Sequence, residues 1–287
     1  MAGPTSNEDD CLVERAIAAL ESEKTTLLQS ILDQRLAEDP QAFQRGGLGD
    51  VLNKAMELGR SDMAHELFKR GARWNYGTIG DVLDGAREDN GWNVQAIDVT
   101  LAHGWDINEH YEHVGNALVF TVTCAEVGSE YPNGDIACLK VAAHLLSRGA
   151  DANETQQTGS NPLEHASYNG DERMVALLLK HGATLEKAPK ALLEAASSGN
   201  VGIMQMLLDH GADINEHPYG EYTTLPCHKE SESWGSALHC AVEGGHVETI
   251  SFLLNNGASK EYRNAVGVTA LDLARKLEKH EIVRLLE

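Results

Sequence analysis

A short phrase recurs along this chain, and its spacing restricts the fold more than any other feature. His103-Gly-Trp-Asp-Ile-Asn-Glu-His110 returns as His210-Gly-Ala-Asp-Ile-Asn-Glu-His217, differing at one position of eight. Shorter copies are Arg70-Gly71-Ala72, Arg148 to Asn153, His181-Gly182-Ala183 and Asn256-Gly257-Ala258. The six glycines lie 33, 45, 33, 29 and 46 residues apart. A period near 33, with two long intervals and one short one, describes a repeat array carrying two insertions and one trimmed loop.

Most of these glycines follow an apolar pair: Leu67-Phe68, Leu145-Leu146, Leu178-Leu179, Leu207-Leu208 and Leu253-Leu254, with Thr100-Leu101 the weak case. Val175, Leu178 and Leu179, like Ile203, Met206 and Leu207, have helical spacing. A glycine three residues beyond the last apolar position is where a helix closes in the left-handed conformation. A second helix precedes each of these, as at Pro162–Ala166, Ala191–Ala195 and Ala237–Ala241, followed by turn glycines Gly170, Gly199 and Gly245. The unit reads helix, tight turn, helix, glycine, extended loop. One such hairpin cannot bury its own apolar stripe, so neighbours must stack. With aromatics at 5%, the core must be filled by Leu, Ile, Val and Ala, which suits small, regularly packed helices.

The unit resembles the ankyrin repeat, whose pattern runs T-P-L-H-x-A, then G-H, then V-x-x-L-L-x-x-G-A-D-x-N. Ser236-Ala-Leu-His-Cys-Ala241, Gly245-His246, Leu253-Leu254 and Gly257-Ala258 follow it closely, and Thr269-Ala-Leu-Asp-Leu-Ala274 opens a further copy. The resemblance covers residues 47–287 and implies an all-α ankyrin-repeat solenoid of about seven helix pairs. The pairs are expected at 47–70, 79–103, 115–148, 160–181, 188–210, 235–256 and 268–287. Residues 1–46 read as a degenerate helical N-terminal cap with disordered first residues, because Leu12 to Leu36 is periodic but lacks a closing glycine. Insertions are expected near 127–135 and 216–234. First-helix alanines Ala55, Ala86, Ala166, Ala195, Ala241 and Ala274 let successive units approach closely. The Asp-x-Asn pairs after the glycines are read as satisfying local backbone donors.

Charge and cysteine usage narrow the function. Twenty-three Lys and Arg stand against 44 Asp and Glu, a formal charge of -21. Such a field repels phosphate backbones and anionic lipid, so neither nucleic acid nor a membrane surface is expected as a partner. A basic protein is favoured. The five cysteines form no CxxC pair, which points to reduced thiols. With no apolar leader and no run long enough to span a bilayer, the expectation is a cytoplasmic chain, nuclear entry left open.

No P-loop, GxSxG or HExxH is present, and no cofactor or metal is expected. His239 and His246 occupy positions that the resemblance assigns to loop-bracing hydrogen bonds. His103, His181 and His210 precede helix-ending glycines, where a partly charged imidazole would complement the helix dipole. Candidate binding residues fall in three groups. His110, Tyr111 and His113 lie on one finger loop. His217, Tyr219, Tyr222 and Trp234 lie on the long insertion, which is read either as a contact loop or as one folded back over the repeats. Tyr168 and Asn169, with Ser197, Ser198 and Glu243, occupy positions that line the concave groove in the family. The leading expectation is a binding protein recognising a polypeptide through fingers and groove. The competing one is a small-molecule binder or enzyme using His, Tyr and Glu as acid–base groups.

Overall fold

The computed structural model describes residues 6–38, 48–73, 94–110, 115–123, 134–155, 161–216 and 235–287. Among them lie fifteen α-helices: α1 Ser6–Glu21, α2 Thr25–Glu38, α3 Gly49–Glu57, α4 Ser61–Lys69, α5 Val94–Ala102, α6 Ala117–Thr123, α7 Gly134–Ser147, α8 Pro162–Asn169, α9 Glu172–Lys180, α10 Ala191–Ser198, α11 Val201–Asp209, α12 Ala237–Gly244, α13 Val247–Asn255, α14 Ala270–Lys276 and α15 His280–Leu286. The fold is all-α, of the ankyrin-repeat type, and the described residues contain no strand, Arg263 and Thr269 forming an isolated bridge. The first helix expected in the second pair lies outside the described residues, as do Ala86 and the bodies of both insertions.

The chain divides into two compact units. In the first, α1 packs on α2 and α3, α3 on α4, α4 on α5, and α5 on α7. The segment expected as a degenerate cap thus holds two helices, and its turn closes without glycine because Glu23 itself takes the left-handed conformation, φ 56°. In the second unit the first helices form one layer, with α6 on α8, α8 on α10, α10 on α12 and α12 on α14. Second helices α9, α11, α13 and α15 form the other layer, each meeting the next. The alanines Ala166, Ala195, Ala241 and Ala274 are buried at the first-helix contacts, with Leu163, Leu178, Ile203, Leu207, Leu238 and Leu253 filling the space between layers.

Local chemistry sets each helix boundary. Asn161 caps α8 by accepting from Glu164 N at 3.0 Å, with Pro162 in the first turn. Asp171 caps α9 by accepting from Arg173 N and Met174 N, both at 3.0 Å. Thr269 and Asp272 form a reciprocal capping box at the start of α14.

Two kinds of side-chain clamp hold the repeats in register. At the finger ends, Asp151 accepts from Asn153 N at 2.8 Å, and Asp106 and Asp213 do the same for Asn108 and Asn215. This is the local role expected of the Asp. The Asn reaches further: Asn153 Nδ2 donates to Gly182 O at 2.9 Å while its Oδ1 accepts from Thr184 N at 2.9 Å. Asn215 binds Gly257 O and Ser259 N in the same way. At the helix turns, the residue after each turn reaches back one repeat: Asn200 Nδ2 to Gly170 O, His246 Nε2 to Ser197 O and Lys279 Nζ to Glu243 O.

His103 departs from its expected role. Its Nε2 lies 3.0 Å from His65 Nδ1, and its ring stacks on Phe68 at 4.3 Å. Burial, then the neighbouring charges of His65 and Lys69, push its pKa down. The shift favours the neutral imidazole. His210 keeps its helix-end place, with Nδ1 2.8 Å from Met206 O.

Candidate interaction face of the second unit

Helices α8, α10 and α12 present equivalent residues at equivalent places, because each is one copy of the same motif. Counting from the packing alanines Ala166, Ala195 and Ala241, the residue just before is His165, Glu194 or Cys240. Two residues after come Tyr168, Ser197 and Glu243, all exposed, followed by Asn169, Ser198 and Gly244. Tyr168 is 60% exposed, the most of any large hydrophobic side chain among the described residues. Its neighbours along the row are small, so the ring stands beside a low step at Ser197 and Ser198.

This strip is held from behind. Ser198 Oγ donates to Ser167 O at 3.2 Å, and His246 Nε2 donates to Ser197 O at 2.9 Å. The His246 ring can lie there because Gly199 has no side chain; a Cβ on it would stand 2.6 Å from His246 Nδ1. Rigid backbone under an exposed aromatic is the preorganisation that binding surfaces need.

Beneath the strip is a row of ionisable groups. Glu164, only 4% exposed, accepts from Lys190 N through Oε1 at 3.0 Å, while Oε2 has no hydrogen-bond partner. Burial raises its pKa. Burial, then the charge of Glu164, raises that of Glu194. His165 is shifted down by burial, and its Nε2 also lacks a partner. Burial, then Glu194 and Glu243, push the Cys240 thiol up to about 12.

A His, Glu and Cys in a row invite a catalytic reading, which the electrostatics oppose. A thiol titrating near 12 holds no useful thiolate at neutral pH. No group of three or more His, Cys, Asp or Glu side chains suited to a metal occurs among the described residues. The face offers a ring, hydroxyls and carboxylates on a fixed frame.

Of the residues singled out from sequence, Tyr168 and Asn169 are brought together with Ser197, Ser198 and Glu243 in the second unit. His110 is exposed on a finger loop of the first unit. Tyr111, His113, His217, Tyr219, Tyr222 and Trp234 lie outside the described residues. Glu164, His165, Glu194 and Cys240 escaped the sequence reading. For the last three the signal was positional: the place before the packing residue is apolar in the outer copies, Phe120 before Thr121 and Leu273 before Ala274, and polar in the three between.

Comparison with known proteins agrees with the architecture. Two family models match, one describing ankyrin repeats in three copies over residues 133–217, the other ankyrin repeats in many copies over 192–254. Among curated relatives, the mitochondrial disaggregase of Bos taurus is 29% identical over 147 residues, 50% of this chain and 20% of that protein. A Caenorhabditis elegans homolog of transient receptor potential cation channel subfamily A member 1 is 32% identical over 126 residues, 42% of this chain and 9% of the relative. The ankyrin repeat domain-containing protein SAT10 of Stachybotrys chartarum is 32% identical over 148 residues, 50% of this chain and 7% of its own length. The chain therefore matches a fifth or less of each of these relatives.

Proposed function

The chain belongs to the ankyrin-repeat family, and from that premise we propose that it is a binding module that recognises a polypeptide through the Tyr168–Ser197–Glu243 face of its second unit. Ankyrin repeats generally mediate protein–protein interaction. The observation that carries the reading is Tyr168, a large ring left exposed on a strip whose backbone is pinned by His246 and Ser198. Aromatic side chains on a rigid support are the usual anchors of interfaces. Finger loops such as that bearing His110, and the insertion with His217, Tyr219, Tyr222 and Trp234, extend the same reading. The thiols of Cys11, Cys138 and Cys240 form no disulfide, which fits a reducing, cytoplasmic setting. No helix among the described residues is long and apolar enough to cross a membrane.

A photo-crosslinking residue introduced at Ser197 in the native host tests the proposal. Covalent protein adducts are expected from position 197 and lost with Tyr168→Ala. Adducts from Glu248, exposed on the second-helix layer, with none from 197, would overturn it.

A further inference from the structure

We propose that Asn169–Gly170 and Asn256–Gly257 are sites of covalent self-modification, in which the asparagine side chain loses ammonia, and that an asparagine of a neighbouring repeat holds each one closed: Asn200 for the first, Asn215 for the second. Glycine after asparagine opens the chain to this reaction, because without a side chain its backbone nitrogen can come close to the asparagine Cγ. The glycine nitrogen, giving up its proton, bonds to Cγ as the Cγ–Nδ2 bond breaks, and ammonia leaves with that proton. Water then opens the five-membered imide at either carbonyl. The product is aspartate, or an isoaspartyl link that makes the main chain one methylene longer. Nothing is oxidised or reduced.

Both steps lie at helix ends of the second unit, after α8 and α13. Other copies put Arg70, His103, Arg148, His181 and His210 at the place of Asn256, and Ser198 and Gly244 at that of Asn169. Asn256 is exposed, and a Cβ built on Gly257 would meet nothing within 4 Å, so packing does not shield this step. Hydrogen bonds do. Gly257 N donates to Leu254 O at 3.1 Å, Asn256 Nδ2 donates to Phe252 O at 2.9 Å, and Gly257 O accepts from Asn215 Nδ2 at 3.2 Å. At ψ 10° the glycine nitrogen nearly eclipses the Asn256 nitrogen and stands away from the Cβ beside which the ring must close. Gly170 is tied in the same way, its N donating to Ser167 O at 3.3 Å and its O accepting from Asn200 Nδ2 at 3.2 Å. The atom nearest a Cβ built on Gly170 is Asn200 Nδ2 itself, at 3.6 Å. Ring closure therefore waits on a local opening that releases the clamp. The product resists reclosure: a longer main chain shifts the clamped carbonyl, and a new carboxylate at a helix C-terminus meets the negative end of the dipole. At Asn169 that charge lands beside Tyr168 on the candidate face.

The test is to incubate the intact chain at mildly alkaline pH and follow aspartyl and isoaspartyl products at both positions by peptide mass spectrometry. The native chain is compared with the same chain in urea, and with Asn215→Ala and Asn200→Ser. Serine at 200 keeps an oxygen able to cap α11, the role Asn200 now fills for Ile203 N, and loses the donor to Gly170. Both positions should react at least about tenfold more slowly in the native chain than in urea. Asn215→Ala should speed Asn256 about fivefold and leave Asn169 within about twofold, and Asn200→Ser should do the reverse. Equal rates in native and urea-unfolded chains would overturn the proposal without recourse to either variant. Equal acceleration of both positions by either variant would show general loosening and overturn the clamps' role. So would variants that leave both rates at the native value.

Discussion

His103 and Asn153 show how a neighbouring repeat decides what a side chain does. The 3.0 Å contact between His65 and His103 holds while one imidazole donates and the other accepts; two charged rings cannot share it. Because the folded pKa of His103 lies below the unfolded value of about 6.5, the unfolded chain binds the proton first. Stability is therefore fully present above that pH and declines as pH falls through it. Burial shifts His165 and His239 in the same direction. The melting temperature should drop between about pH 7 and pH 5, and His103→Asn should flatten that slope. Glu164 and Glu194 run the other way, since their raised values make them destabilising once pH rises above the ordinary carboxylate range. Asn153→Ala removes the clamp on Gly182 O and Thr184 N and should cost about 1–2 kcal/mol in urea unfolding.

Helix ends are alike in sequence but unequal in what surrounds them. Gly182 and Gly199 both have positive φ, 92° and 76°, so alanine at either carries the left-handed penalty of about 1–2 kcal/mol. At Gly182 a Cβ meets nothing within 4 Å, whereas at Gly199 it strikes the His246 ring. Gly199→Ala must also displace that ring and lose its bond to Ser197, adding about 1 kcal/mol. The two variants should separate clearly in chemical denaturation, with Gly199→Ala the less stable. Ala195 is fully buried on α10, which packs between α8 and α12. Ala195→Leu should overpack it and cost about 1–3 kcal/mol, whereas leucine at exposed Ser197 should leave stability within about 0.5 kcal/mol.

At the scale of the whole chain, the formal charge of -21 steers encounters toward basic surfaces and makes them sensitive to ionic strength. Binding of a basic partner should weaken as salt shortens the screening length from about 10 Å at 0.1 M to about 3 Å at 1 M. Titrating a captured partner in rising sodium chloride reads this directly: a salt-independent affinity would contradict a basic partner.

Among the described residues, the repeat period, the packing alanines Ala166, Ala195, Ala241 and Ala274 and the closing glycines were legible from residue order, because each depends on contacts within a hairpin or on a motif copied from one hairpin to the next. Tyr168 and Asn169 could be marked for the same reason. Residue order did not show which side chains meet across repeats. That Asn153 ties down the following loop, that His103 faces His65, and that burial holds the Glu164 and Glu194 carboxyls above their ordinary range are consequences of stacking. Distances between hairpins exist only once the hairpins have packed, and it is those distances that turn ordinary polar residues into clamps and a shifted histidine.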